Sequence, residues 1–267
     1  MVRRLFYLLS VLVIGAALAP RAWSQFLSEE ERKGMFTVGL SYSMRDYELE
    51  YRNSSVPFED LEAIFEAFTT DEEMNSLELS VAWLSFGYIE LRGTIGLADY
   101  ELTSTHATDS AFDTAFATSD ELIYGLSAFV RYPLNEWIVL GLDVSFMTGK
   151  FGDVEGEVSQ LDVFPRVTTS VDSIDWREIA IGPKMMFRLG NWLPYVGVRY
   201  IDVTTEINTV LTPSRGDPIP RTATFDNRNE LSGVVGVTWR ISSLVVADFE
   251  AQLSSNNRLM ATVKLTF

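Results

Sequence analysis

The chain has no cysteine and a single histidine in 267 residues. Disulfides, thiol nucleophiles and thiolate metal centres are therefore excluded, as is lipid attachment through an N-terminal cysteine. Basic residues are scarce, with 21 Lys and Arg against 37 Asp and Glu. A nucleic-acid partner would need a cationic footprint, so none is expected. Beyond residue 24 the chain has no apolar run of 18 residues, which excludes an ordinary transmembrane helix.

The first residues carry an export pattern. Arg3 and Arg4 precede the apolar stretch LFYLLSVLVIGAALA, and Ala22 and Ser24 are the small residues a signal peptidase reads. We expect residues 1–24 to be a signal peptide cleaved before Gln25. Cleavage removes three arginines and leaves 18 basic residues against 37 acidic ones, a formal charge of −19.

What the rest of the chain does have is period two. In RLMATVKLTF, at the end, Leu259, Ala261, Val263, Leu265 and Phe267 share one parity, and Met260, Thr262, Lys264 and Thr266 the other. Similar alternation occurs around residues 36–44, 77–83, 89–97, 122–132, 138–146, 179–187, 196–200, 231–239 and 245–253. The pattern predicts ten strands, most of the length a tilted transmembrane strand needs. The connections follow a rhythm. Links 48–74, 103–120, 148–175 and 205–228 are long, while 85–88, 133–136, 190–194 and 241–243 are short. All the long links then fall at one end of an up-and-down sheet, and only the last, at 254–257, is short there.

Trp83, Tyr132, Trp137, Trp192, Tyr195 and Trp239 sit beside the short turns and are expected at a membrane interface, where a ring is dry and its N–H or O–H wet. A second aromatic belt is expected near the long links, from Tyr42, Tyr100, Tyr124, Phe146, Trp176 and Tyr200. The opposite strand face carries Gly39, Gly96, Gly125, Gly141, Gly182, Gly197 and Gly236, which leave room in a narrow interior. The same face holds Glu90, Arg92, Arg131, Asp143, Lys184, Arg188, Arg199, Glu230, Arg240 and Lys264, with Glu78, Asp248 and Glu250. Charges of mixed sign in so narrow a space must pair. They make either a polar plug, the favoured reading, or a charged conduit, since ten strands enclose far less than a porin does.

On these features the chain resembles the bacterial outer-membrane β-barrel superfamily. Signal peptide, hairpin rhythm, aromatic belts and the terminal ATVKLTF carry the resemblance, which covers nearly all of residues 34–267. It implies an all-β fold, a closed antiparallel up-and-down transmembrane barrel of about ten strands. Residues 1–24 would be the signal peptide, 25–33 a short periplasmic segment, and 34–267 the barrel. Val263, Leu265 and Phe267 would be the signal read by the barrel-assembly machinery. Location in a Gram-negative outer membrane is implied, with membrane lipid and lipopolysaccharide as partners.

A resemblance of this kind names an architecture rather than an activity. Catalysis is not expected. His106, the one histidine, follows the carboxylates of Asp99 and Glu101, and Ser104 lies close by. No Asp-x-His or His-x-Asp pair of the omptin protease type faces them, and a base on a loop is poorly held. Asp153, Glu155, Glu157 and Asp162 form an acidic stretch able to bind divalent cations weakly, without EF-hand spacing. No cofactor or tightly bound metal is expected. FEDLEAIFEAF, with Phe58, Leu61, Ile64, Phe65 and Phe68 at helical spacing, reads as a short amphipathic helix over the mouth. The expected role is structural, or interaction at the cell surface through acidic loops. The alternatives are a narrow channel for small solutes and, below that, a hydrolase using His106.

Overall fold

The computed structural model describes residues 35–54, 68–85, 88–106, 114–152, 155–158, 167–213, 217–227, 230–253 and 257–267. They form twelve strands: β1 (Met35–Ser54), β2 (Phe68–Ser85), β3 (Ile89–His106), β4 (Thr114–Pro133), β5 (Ile138–Phe151), β6 (Glu155–Val158), β7 (Val167–Phe187), β8 (Trp192–Pro213), β9 (Ile219–Asn227), β10 (Leu231–Arg240), β11 (Val245–Leu253) and β12 (Asn257–Thr266). Every pairing is antiparallel. The ring runs β1-β2-β3-β4-β5-β7-β8-β10-β11-β12 and returns to β1. Its ten members contain the ten predicted strands.

Closure is made by β1 and β12, in register from Thr37 opposite Thr266 to Asp46 opposite Asn257. The amide of Phe267 donates to the carbonyl of Phe36 at 2.9 Å, so pairing runs to the last residue. A closed ring leaves no edge amide facing lipid, the condition for a sheet to cross hydrocarbon. The outward face fits that solvent. Leu79, Val81, Leu91, Ile95, Leu126, Leu142, Val196, Val235 and Phe249 are all exposed large apolar side chains. A water-soluble protein does not present a band of that extent.

The strands run past this band, and their polarity inverts there. On β1 the outward residues are apolar from Phe36 to Met44 and then become Asp46, Glu48 and Glu50. The inward residues change from Ser41, Ser43 and Arg45 to Tyr47 and Leu49, with Tyr47 and Leu49 buried. Strand β2 repeats the change: outward Leu77 gives way to Asn75, Glu73 and Asp71, and inward Glu78 and Ser76 give way to Met74. Strand direction and parity do not change; the solvent outside does. Near the short turns the barrel is greasy outside and polar within. Near the long links it has the opposite distribution, as a water-soluble barrel would.

The ring also narrows. Above the outer ends of β10, β11 and β12, strand β9 pairs with β8 on one side and with β1 on the other. One strand there replaces three, giving an eight-membered ring, and eight strands leave an interior that side chains can fill. They do fill it: Tyr47, Leu49, Met74, Tyr100, Leu102, Phe116, Ile123, Phe151, Ile174, Trp176, Val203 and Phe225 form one buried cluster. Tyr100 stacks on Phe151 at 4.5 Å between centroids.

Two expectations are corrected. The spans expected as long connections are largely strand wherever described. Tyr100 and Trp176, expected in a second interface belt, lie in the interior, while Tyr42, Tyr124, Phe146 and Tyr200 do face outward. The predicted signal peptide and segment 25–33 lie outside the described residues, as does the 58–68 segment except for Phe68, which begins β2.

Candidate functional site

Below the apolar cap the lumen is built in layers from inward residues of successive strands. The first is a four-charge network. Arg45 on β1 gives Nη2 to Glu78 Oε1 at 2.8 Å and Nη1 to Ser76 at 3.0 Å, and its Nε lies 3.5 Å from Glu178 Oε2. Glu178, on β7, also accepts from the Tyr47 hydroxyl at 2.5 Å and lies 3.5 Å from Arg258 Nη1. Arg45 and Glu178 are fully buried, and the guanidinium carbon of Arg45 stands 5.7 Å from the centre of the Trp176 ring. Burying such charges is tolerable only because each has an opposite charge and further hydrogen bonds.

The next layer joins β5, β7, β8 and β11. Lys184 Nζ contacts Glu250 at 2.6 Å and Asp143 at 3.1 Å, and Arg199 contacts the same two acids at 2.8 and 2.9 Å. The Tyr195 hydroxyl donates to Glu250 at 3.0 Å. Gly236 makes room for that ring, since a Cβ there would run into the Tyr195 phenol. Nearest the short turns, Glu90 binds Arg92 and Arg131, the latter at 2.7 Å, and Lys264 lies 3.7 Å from Asp248. A cavity of about 1070 Å³ extends through these two layers to the short-turn rim, where Asn135, Trp137, Asn191 and Ser242 line it.

The predicted lumen residues Glu90, Arg92, Arg131, Asp143, Lys184, Arg188, Arg199, Arg240 and Lys264 therefore all line one cavity. Glu230 does not join them. It is exposed at the loop end of β10, hydrogen-bonded to Tyr200 on the outside of the barrel. The wall there ends at Leu231, so the inward parity of Glu230 has no lumen to face. Trp83, Tyr132, Trp137 and Trp192 are exposed near the short turns, and Trp239 stacks on Trp192 at 4.9 Å with planes 3° apart. Tyr195 is the exception: it is odd where the lipid-facing Val196 and Val198 are even, and it is buried in the lumen. At the end of the chain Val263 is buried, Leu265 half-buried and Phe267 exposed.

Sequence reasoning missed Arg45, Glu178, Arg258 and Glu72 as interior charges. Arg45 continues the parity of Gly39, Ser41 and Ser43, which was the available signal. The carboxylates of Asp99 and Glu101 project outward, whereas Ser104 is buried and shares a 3.0 Å hydrogen bond with Thr70. His106 closes β3 opposite Phe68. Among the described residues, no group of three His, Asp or Glu side chains is placed to hold a metal ion. Asp153 and Asp162 lie outside the described residues, and Glu155 and Glu157 fall in β6, which pairs with β4.

No family model and no curated protein matches the chain. Solved structures of bacterial outer-membrane barrels are similar to it in fold. The outer-membrane protease OmpT of Escherichia coli shares 11% identity at a TM-score of 0.48, over 90% of this chain and 100% of that one. The translocator domain of the autotransporter NalP from Neisseria meningitidis gives 10% and 0.46, over 88% of each chain. The outer membrane protein OprG of Pseudomonas aeruginosa gives 11% and 0.43, over 88% and 97%.

Proposed function

We propose that this chain is an integral outer-membrane barrel that does not conduct solutes and acts as a structural or surface-interaction protein. Its short turns face the periplasm, and its eight-stranded extension stands above the membrane. One observation carries the reading: beneath a lipid-compatible exterior band lies a lumen blocked on the loop side by a packed apolar core. Tyr47, Leu102, Phe151, Ile174 and Trp176 are each at most 1% exposed there. Hydrated ions need polar partners or water along their whole path, and the few polar groups in this cap, Glu72 with Thr205 and Tyr100, are buried and bonded to one another. The extension presents Asp46, Glu50, Asp71, Glu73, Glu101 and Glu206 outward, an acidic surface suited to cationic partners or to cation-bridged lipopolysaccharide.

Planar-bilayer recording of the refolded full chain tests this. The expected result is a quiet bilayer in the presence of protein shown to be inserted. Reproducible single-channel steps would overturn it and favour the narrow channel.

A further inference from the structure

The lipid-facing band is not smooth. Across β10, β11, β12 and β1 its outward face holds a groove of about 420 Å³, within the size range of small-ligand sites. Its floor is Ala251 on β11 and Ala261 on β12. Phe249, the cross-strand partner of Ala261, and Leu259, the partner of Ala251, flank that floor and are 50% and 55% exposed. Val235 and Met44 bound the groove on β10 and β1. Neighbouring strands lie about 4.8 Å apart, so a groove over four of them runs roughly 14 Å across the barrel wall.

Toward the loops the apolar band stops at the edge of this groove. Met44 and Leu259 are cross-strand partners, and the next outward pair on the same two strands is Asp46 and Asn257. Asp46 also stands directly opposite Glu73 on β2, and Glu73 directly opposite Glu101 on β3. All three carboxylates are exposed. Like charges directly opposite one another across a sheet are destabilising. Partial desolvation and the nearby charge of Asp71 raise the Asp46 carboxyl. A cation beside Asp46 relieves both costs.

We propose that the groove holds an acyl chain of a membrane lipid whose headgroup carries a protonated amine, with the chain over Ala251 and Ala261 and the amine at Asp46. Two separate features identify this occupant. The groove opens on the side turned to hydrocarbon and is continuous with the exposed apolar band, so what fills it is aliphatic. The acids at its loop-side edge favour a cation at the level where the headgroup lies, and disfavour a headgroup of net negative charge. A lipid with a headgroup amine has both parts in that order. That the groove lies in the outer leaflet rests on the orientation given under Proposed function; the groove and its acids do not.

Native mass spectrometry of the folded full chain, released from detergent micelles doped with one lipid at a time, tests this. The probes are phosphatidylethanolamine and phosphatidylglycerol with identical acyl chains, so that only the headgroup amine differs. The parent is expected to retain one phosphatidylethanolamine about threefold to fivefold better than phosphatidylglycerol, the preference an exposed ion pair can supply. D46N should retain the two lipids equally. A251L/A261L fills the groove and should lose about fivefold or more in retention of both, as the chain loses its apolar contacts. D46N alters only an exposed side chain, so the headgroup result stands even where the leucine variant fails to insert. Equal retention of both lipids by the parent overturns the proposal. So does an A251L/A261L variant that folds and retains phosphatidylethanolamine as well as the parent, which would mean unspecific surrounding lipid. A dimer in the parent spectra that A251L/A261L abolishes would overturn it too, by placing a second copy of the chain on the groove. Channel steps in the bilayer assay would leave these outcomes unaffected, so the two readings fail separately.

Discussion

Arg45 and Glu178 meet across the full width of the barrel, with Arg45 Nε 3.5 Å from Glu178 Oε2, although their strands β1 and β7 lie on opposite sides of the ten-membered ring. The contact ties one wall to the other beneath the apolar cap. Arg45 also holds Glu78, so removing it takes a cation from two buried carboxylates at once and leaves Glu178 with Arg258 alone. Arg45→Met should cost on the order of 3–5 kcal/mol of stability, because breaking a buried pair from one side leaves an uncompensated charge. Arg52→Met is the control. Its pair with Asp226 is exposed, and such pairs contribute about 0–1 kcal/mol. Urea unfolding in a lipid bilayer, followed by tryptophan fluorescence, compares the two; equal losses would contradict a central role for the network.

The apolar cap makes a second prediction, about conduction. Trp176 and Phe151 are among the largest fully buried side chains and come from neighbouring strands of the eight-membered ring. Truncating both to alanine should destabilise by roughly 3–5 kcal/mol at each site and leave a void above the charged layers. The double variant should then show single-channel steps where the parent shows none. A folded, inserted double variant that stays silent would mean the barrier lies elsewhere along the lumen.

The Trp192–Trp239 stack gives a third prediction. The two are cross-strand partners of β8 and β10 on the outward face, while Trp176 is buried inside. In variants retaining one of these tryptophans, with the others replaced by phenylalanine, brominated lipid should quench Trp192 strongly and Trp176 hardly at all. Trp239→Ala should cost about 1 kcal/mol for the lost aromatic pair, beyond the loss of buried area. Equal quenching of Trp176 and Trp192 would place the exterior band incorrectly.

Sequence made the ten-membered ring legible because inside and outside differ most sharply where lipid is the solvent. Between Phe36 and Met44, a single parity carries every large apolar side chain on β1. The extension was read as loop for a specific reason. At Arg45 and Asp46 the apolar residues move to the other parity, to Tyr47, Leu49 and Tyr51. A one-residue shift in an alternating pattern looks like its end, because the same shift in a strand of fixed solvent would turn its apolar face outward. Here the shift marks a change of solvent along an unbroken strand. Strand β9 was missed because residues 219–227, IPRTATFDN, alternate poorly, and its place between β8 and β1 is set by pairing partners distant in sequence. Most interior charges were legible from parity alone. Which of them meet was not, since Arg45 and Glu178 are 133 residues apart and only closure of the ring brings them together.

Glu72 makes stability depend on pH. It sits on β2 five residues beyond the last lipid-facing leucine, Leu77, in the extension above the band, and is fully buried beside Met74 and Leu102. Burial raises its carboxyl from 4.5 to about 7, and hydrogen bonds from Thr205 and Tyr100, at 2.6 and 2.9 Å, only partly offset that. The folded state therefore prefers the neutral acid. Its favourable contribution is complete below about 4.5 and is lost as pH rises through about 7, where the buried group must ionise or the fold must loosen around it. At alkaline pH the loss approaches about 3 kcal/mol, from 1.36 kcal/mol per unit. Glu72→Gln keeps the size and a hydrogen-bonding group without the titration. It should match the parent near pH 5, exceed it near pH 9, and flatten the pH dependence of the urea midpoint between them. A parent and variant whose midpoints run parallel from pH 5 to 9 would show that this carboxyl does not titrate in that range. The cap would then tolerate a full charge among its aromatic rings, contrary to the cost of ionising a group that deeply buried.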